Sequence, residues 1–170
     1  MILVDKLKLP LRTQRNATRK GRRNVAFLSI VAVEKLIIAT NKKHTMTENE
    51  IAKVVLDCAF KVHRELGPGL LESAYQKCLA YELRQEGLKV EEEKGLPLIY
   101  KEIKMECGYR LDLWIEDKFL VELKAVDELA PIHLAQVITY LKISNTKLGL
   151  LLNFDVALLK HGIKRVVNNF

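Results

Sequence analysis

Between Thr47 and Leu66 apolar side chains recur at helical spacing: Ile51, Val54, Val55, Cys58, Ala59, Val62 and Leu66 fall on one stripe. Thr47 followed by Glu50 makes a capping-box start. Gly67-Pro68-Gly69 makes a stop, because glycine adopts left-handed dihedrals and proline cannot continue the ladder. A second helix is predicted from about Leu70 to Gln85, with Gly87 as its stop. Beyond Gly87 the chain reads as strands, at Lys89–Glu93, Leu96–Tyr100, Cys107–Ile115 and Lys118–Ala125. Pro131 suits a first helical turn, and Ile132 to Ile143 carries a helical pattern. Leu148–Phe154 is nearly continuous apolar sequence, the mark of a strand covered on both faces. Gly162 and the run Ile163–Val167 suggest a last strand or hairpin. Helices, antiparallel strands, a helix and a buried strand in that order predict an α/β core.

The segment Tyr109–Ala125 is the most informative. Positions 109, 111, 113 and 115 are Tyr, Leu, Leu and Ile, and 119, 121, 123 and 125 are Phe, Val, Leu and Ala. All eight are apolar, so alternation assigns them to one core face of a hairpin. The opposite face carries Arg110, Asp112 and Trp114 from one strand, and Leu120, Glu122 and Lys124 from the other. A tight turn centred on Asp117 sets Asp112 opposite Glu122, and opposed residues have Cβ atoms about 4.5–5.5 Å apart. Lys124, two residues on, points the same way.

Composition refines this picture. Of 170 residues, 49% are hydrophobic and 29% charged, which is globular rather than disordered. The net charge of +7 is unevenly spread. Residues 1–45 carry 11 Lys/Arg against Asp5 and Glu34, a net +9, whereas residues 46–170 carry 17 Lys/Arg and 19 Asp/Glu, a net −2. The basic head is read as a poorly ordered extension, with a nucleic-acid-binding arm as the alternative. Its apolar stretch Val25–Val33 lies late, is short and lacks a small-residue cleavage site, so export is not expected. Met46 stands where the patterned region begins, so the head could be absent from the functional product. No apolar run of about 18 residues predicts a membrane helix. Cys58, Cys78 and Cys107 fit neither a disulfide framework nor a zinc site, and a reducing cytoplasm is expected.

Two carboxylates forced together repel, and burial raises their pKa unless a positive charge intervenes. A hard divalent cation does this well: Mg²⁺ takes carboxylate, phosphate and water oxygens. Asp112, Glu122 and Lys124 with such a cation suffice in kind for phosphodiester hydrolysis. Gln136 and Tyr140 share a helical face near Leu129 and His133, and Glu72 and Tyr75 share another near a helix start. The plainer readings are a helix-dipole charge for Glu72 and packing for the two tyrosines. His63 and His133 read as structural, Trp114 as a base-stacking residue or a cover for the sheet, and Glu91-Glu92-Glu93 as solvated.

These residues resemble a known pattern. Asp112, nine intervening residues and Glu122-Leu123-Lys124 resemble the signature of the PD-(D/E)XK nuclease superfamily, with Leu111 where the name has proline. Gln136-Val137-Ile138-Thr139-Tyr140 resembles the Q-x-x-x-Y motif of RecB-type members, and Gly69-Leu70-Leu71-Glu72-Ser73-Ala74-Tyr75 matches the motif of the GxxExxY protein family. The resemblance implies a restriction-endonuclease-like α/β core: a mixed central sheet with an antiparallel three-stranded unit, flanked by helices. It implies a nuclease-like domain over residues 46–170 and a Mg²⁺ or Mn²⁺ cofactor. Asp112, Glu122 and Glu72 would be metal ligands, Lys124 the catalytic lysine, and Gln136, Tyr140 and Tyr75 substrate-binding or supporting residues. The expected activity is metal-dependent cleavage of nucleic acid, with DNA the first expectation. A non-catalytic nucleic-acid-binding or protein-interaction relative is the alternative.

Overall fold

The computed structural model describes residues 45–168. The expectations for the basic head therefore lie outside the described residues. Helix α1 (Glu48–Leu66) starts at the Thr47–Glu50 capping box and buries Ile51, Ala52, Val55, Cys58, Ala59 and Val62. Helix α2 spans Glu72–Gln85. It begins later than the periodicity suggested because the Leu70 N–H is taken by the Tyr75 hydroxyl and Leu71 is an extended N-cap. Strands β1 (Val90–Tyr100), β2 (Ile103–Ile115) and β3 (Phe119–Lys124) follow, then α3 (Pro131–Ile143), β4 (Leu148–Asn153) and β5 (Ile163–Val167).

The strands form one five-stranded sheet in sequence order. The pairs β1–β2, β2–β3 and β4–β5 are antiparallel, while β3–β4 is parallel across the α3 connection. The two strands predicted on either side of Gly95 are one strand. Pro97 falls where the β1–β2 register shifts, and an edge strand tolerates its missing N–H. Strand β2 starts four residues before the expected Cys107, because Ile103 pairs with Tyr100 at the hairpin turn.

Both faces of the sheet are covered. Phe119, Val121 and Leu123 join α1 and α2 in one core, and Leu120 joins Val137, Tyr140 and Leu141 of α3 in a second. Strand β4 is buried throughout, as its apolar run predicted. The expected single core face for all eight alternating residues is corrected. Leu113 and Ile115 pack on the α1–α2 side, but Leu111 belongs to the α3-side cluster and Tyr109 sits edge-on to Tyr140. The phase of β2 therefore changes at Asp112.

The pairing pattern gives the reason. Glu92 pairs with Leu113 and Lys94 with Leu111, but Glu93 and Asp112 are skipped. Glu93 is left-handed at φ 49°, a conformation costing roughly 1–2 kcal/mol for an L-residue with a side chain. Its exposed ion pair with Arg110, 3.1 Å, returns little of that. Glu93→Gly should therefore leave stability unchanged or raise it by up to about 1 kcal/mol in urea unfolding. Glycine at the neighbouring Glu91 should lower it. A clear loss at Glu93 would mean that the left-handed turn is not a source of strain.

Candidate active site

The hairpin of β2 and β3 has the register expected from its turn, with Ile115 opposite Phe119, Trp114 opposite Leu120 and Leu113 opposite Val121. Glu116 and Asp117 in the turn are both left-handed, which suits a tight connection. The ladder then stops one pair short of Asp112 and Glu122, so their expected direct opposition as a strand pair is not formed. Instead the Asp112 carboxylate enters the gap and accepts the Leu123 N–H at 2.7 Å. The Asp112 carbonyl accepts a hydrogen bond from the Gln76 amide of α2 at 3.0 Å. Asp112 is thus held at both its backbone and its side chain.

Glu122 is 1% exposed, in the middle of the sheet. One of its oxygens accepts from Lys124 Nζ at 2.7 Å, while the other, Oε2, is buried with no hydrogen-bond partner. Lys124 Nζ also lies 3.8 Å from Glu72 at the start of α2. The backbone at Lys124 and just after it is fixed by the end of β4. The Lys124 carbonyl accepts from the Phe154 N–H at 2.8 Å, and the buried Asn153 amide bonds both the N–H and the carbonyl of Val126. Gly162 supports Asn153 at a distance no side chain would permit, since a Cβ there would lie 2.1 Å from the Asn153 carbonyl oxygen.

The electrostatics follow from this burial. Desolvation pushes the Glu122 carboxyl up from 4.5 to about 7, the Asp112 charge adds to the rise, and Lys124 opposes it. Asp112 is raised as well, by burial first, against the pull of the Leu123 N–H and of Lys124. Burial alone would depress Lys124, but the Glu122 hydrogen bond and the surrounding carboxylates outweigh it and leave the ammonium above its ordinary range. Glu72 contributes to the field felt by all three. One lysine thus serves three acids.

The other expected residues have definite places. Tyr75 is fully buried, stacks on Phe154 at 4.6 Å, donates to the Gly67 carbonyl and accepts from the Leu70 N–H. It fixes the loop that leads into Glu72. Gln136 donates to the Tyr140 hydroxyl at 2.9 Å, and both line a groove of about 380 Å³ with Tyr109, Ile132 and Thr139. The hydrogen bonds of this pair join it to itself, and among the described residues none links it to the acids. His63 Nε2 bonds the Val156 carbonyl, and the His133 ring accepts the Ala130 N–H at the start of α3; both are structural. Trp114 is 7% exposed beneath Lys94, which removes it as a surface for stacking a base. The acidic run is not simply solvated: Glu92 is gripped by Lys77 and Arg84, and Glu91 by Lys89 and Lys94. Gln76 and Asn153 went unnoticed in the sequence. The available signals were a polar residue one turn after Glu72 and an amide ending an all-apolar strand.

Oxygen donors alone, one of them an orphaned buried carboxylate oxygen, suit a hard cation such as Mg²⁺. Among the described residues, however, no three His, Cys, Asp or Glu side chains stand together as a ready cation cage. Lys124 bridges Glu122 and Glu72, so Glu72 meets the acid pair through the lysine.

A mixed sheet with an antiparallel three-stranded unit, a crossover helix and helices on both faces is the restriction-endonuclease-like core. A family profile described as the PD-(D/E)XK nuclease superfamily matches residues 49–166, and the chain belongs to that superfamily. No curated protein and no solved structure gives a significant match to the chain. Among the described residues no helix is long and apolar enough to cross a membrane.

The raised Glu122 carboxyl gives a signed pH dependence. Its folded-state pKa exceeds the unfolded value, so the native state keeps the proton longer. The stability of the cation-free protein is then full below about pH 4.5 for this group and is lost as pH rises to about 7. The loss is on the order of 3 kcal/mol at 1.36 kcal/mol per pKa unit. In EDTA-treated protein the melting temperature should fall across that window, and Glu122→Gln should remove most of the fall. An equal fall in the variant would place the titration elsewhere.

Proposed function

We propose that the chain is a metal-dependent nuclease that hydrolyses phosphodiester bonds in nucleic acid, with DNA as its substrate. The observation that carries this reading is the buried Glu122 beside Asp112, with one carboxylate oxygen unpartnered and Lys124 on the other. Isolated buried charge is costly, and a fold that retains it beside a second acid is suited to a positive ligand. Asp112 and Glu122 would hold Mg²⁺ or Mn²⁺, with Glu72 as the third acid once its carboxylate, 41% exposed, turns from the lysine. A bound cation of this kind polarises a phosphate and acidifies a water.

The remaining work falls to the protein. Lys124, an ammonium at neutral pH, donates hydrogen bonds to phosphate oxygens and steadies the charge that grows on them. The Leu123 N–H holds the Asp112 carboxylate in place, and Tyr75 holds the loop before Glu72. Gln136 and Tyr140 line a groove that would receive a neighbouring part of the substrate. The Gly69-Leu70-Leu71-Glu72-Ser73-Ala74-Tyr75 segment supports a place in the GxxExxY family, and Gln136 to Tyr140 supports the RecB-type motif order. We assign the activity to residues 46–170, leave the basic residues 1–45 as an extension, and take the free thiols Cys58 and Cys78 as suited to the cytoplasm.

A second reading, a relative that binds nucleic acid without cutting it, is favoured by the absence of a three-residue cation cage among the described residues. Cleavage separates the two. Lys124→Ala should keep a cooperative melt yet lose Mg²⁺-dependent cleavage of supercoiled and single-stranded DNA by roughly a hundredfold or more, as expected for a charge acting in the transition state. Undiminished cleavage by the variant would count decisively against the assignment. No cleavage by wild type, with salt-sensitive binding that vanishes without residues 1–45, would establish the second reading.

A further inference from the structure

Asp112 is skipped by the ladders on both of its sides, since neither Glu93 nor Glu122 pairs with it. A backbone that leaves a sheet must find other partners, because an unmet buried carbonyl costs about 1–3 kcal/mol. The partner here is a side chain from another element. Gln76 is 6% exposed, one of few buried polar residues, and its amide nitrogen donates to the Asp112 carbonyl at 3.0 Å. It lies four residues after Glu72, hence on the same face of α2. Helix α2 therefore carries one acid of the site at its first turn and grips the backbone of a second acid one turn later.

We infer that Gln76 is a positioning residue for the cation site: it stands in for the missing strand partner of Asp112 and so keeps that carboxylate turned into the gap beside Glu122. The inference rests on the nuclease reading for its cation but not for its geometry. The Asp112 carboxylate accepts the Leu123 N–H at 2.7 Å, next to the point where the β2–β3 ladder ends. Without the Gln76 amide, the Asp112 carbonyl has to seek a strand partner or water. Either change swings the carboxylate away from Leu123 and Glu122.

The test uses the full chain and Gln76→Met, which keeps the length and bulk of the side chain but has no donor. Mn²⁺ binding by calorimetry should weaken roughly 10- to 100-fold, the usual effect of losing a residue that orients a ligand. Hydrogen exchange at the Leu123 amide, measured without metal, should quicken at least about tenfold as its bond to Asp112 is released. A cooperative melt shows that the variant is folded, and Gln76→Ala replaces it if it is not. Unchanged Mn²⁺ affinity in a folded variant would overturn the inference. Wild-type protein that takes up no Mn²⁺ would remove the nuclease reading instead. Leu123 exchange then decides the role of Gln76 alone: faster exchange upholds it and unaltered exchange refutes it.

Discussion

Two carboxylates withdrawn from water side by side are the constraint on which this structure turns. Glu122 lies in the middle of the sheet and cannot leave it, and Asp112 enters from the next strand through a gap in the hydrogen-bond ladder. Burial opposes ionisation of both, and the Asp112 charge adds to the rise at Glu122. Lys124 relieves part of that cost and is held charged by doing so. A single ammonium does not satisfy both oxygens of Glu122, which leaves one buried acceptor without a hydrogen-bond partner. Buried ion pairs are in any case a poor source of stability.

The rest of the architecture serves to keep that cost in place. Strand β4 runs parallel to β3 and fixes the backbone at Lys124, through the Phe154 N–H on the Lys124 carbonyl and the Asn153 side chain on Val126 in the loop after β3. The left-handed Glu93 lets β1 pass Asp112 without pairing to it. Helix α2 approaches with Glu72 and Gln76 on one face, and Tyr75 between them anchors the loop behind. Strain, an orphaned polar atom and raised carboxyl pKa values thus gather within a few residues of one another. Such concentration is usual where a fold gives up local stability for chemistry.

Much of the fold was legible in the sequence because its signals are local. The Thr47–Glu50 cap, the stripe from Ile51 to Val62, the turn at Asp117 and the apolar run of β4 each follow from spacing alone. The same spacing put Asp112, Glu122 and Lys124 together. What it did not reveal depends on contacts between distant elements. Alternation cannot report a ladder that lapses at one residue, so Tyr109 and Leu111 were placed on the wrong face. The fate of Glu92 in the acidic run is set by Lys77 and Arg84 of α2, which no pattern within β1 announces. Trp114 was hidden by α3 and by Lys94 for the same reason.

Anomalous diffraction from crystals soaked in Mn²⁺ tests most directly whether the two acids share an ion. The account predicts one strong peak within bonding reach of both Asp112 and Glu122, on the side of the unpartnered Glu122 oxygen. A map with no peak there, or with manganese bound only at surface carboxylates, would contradict it.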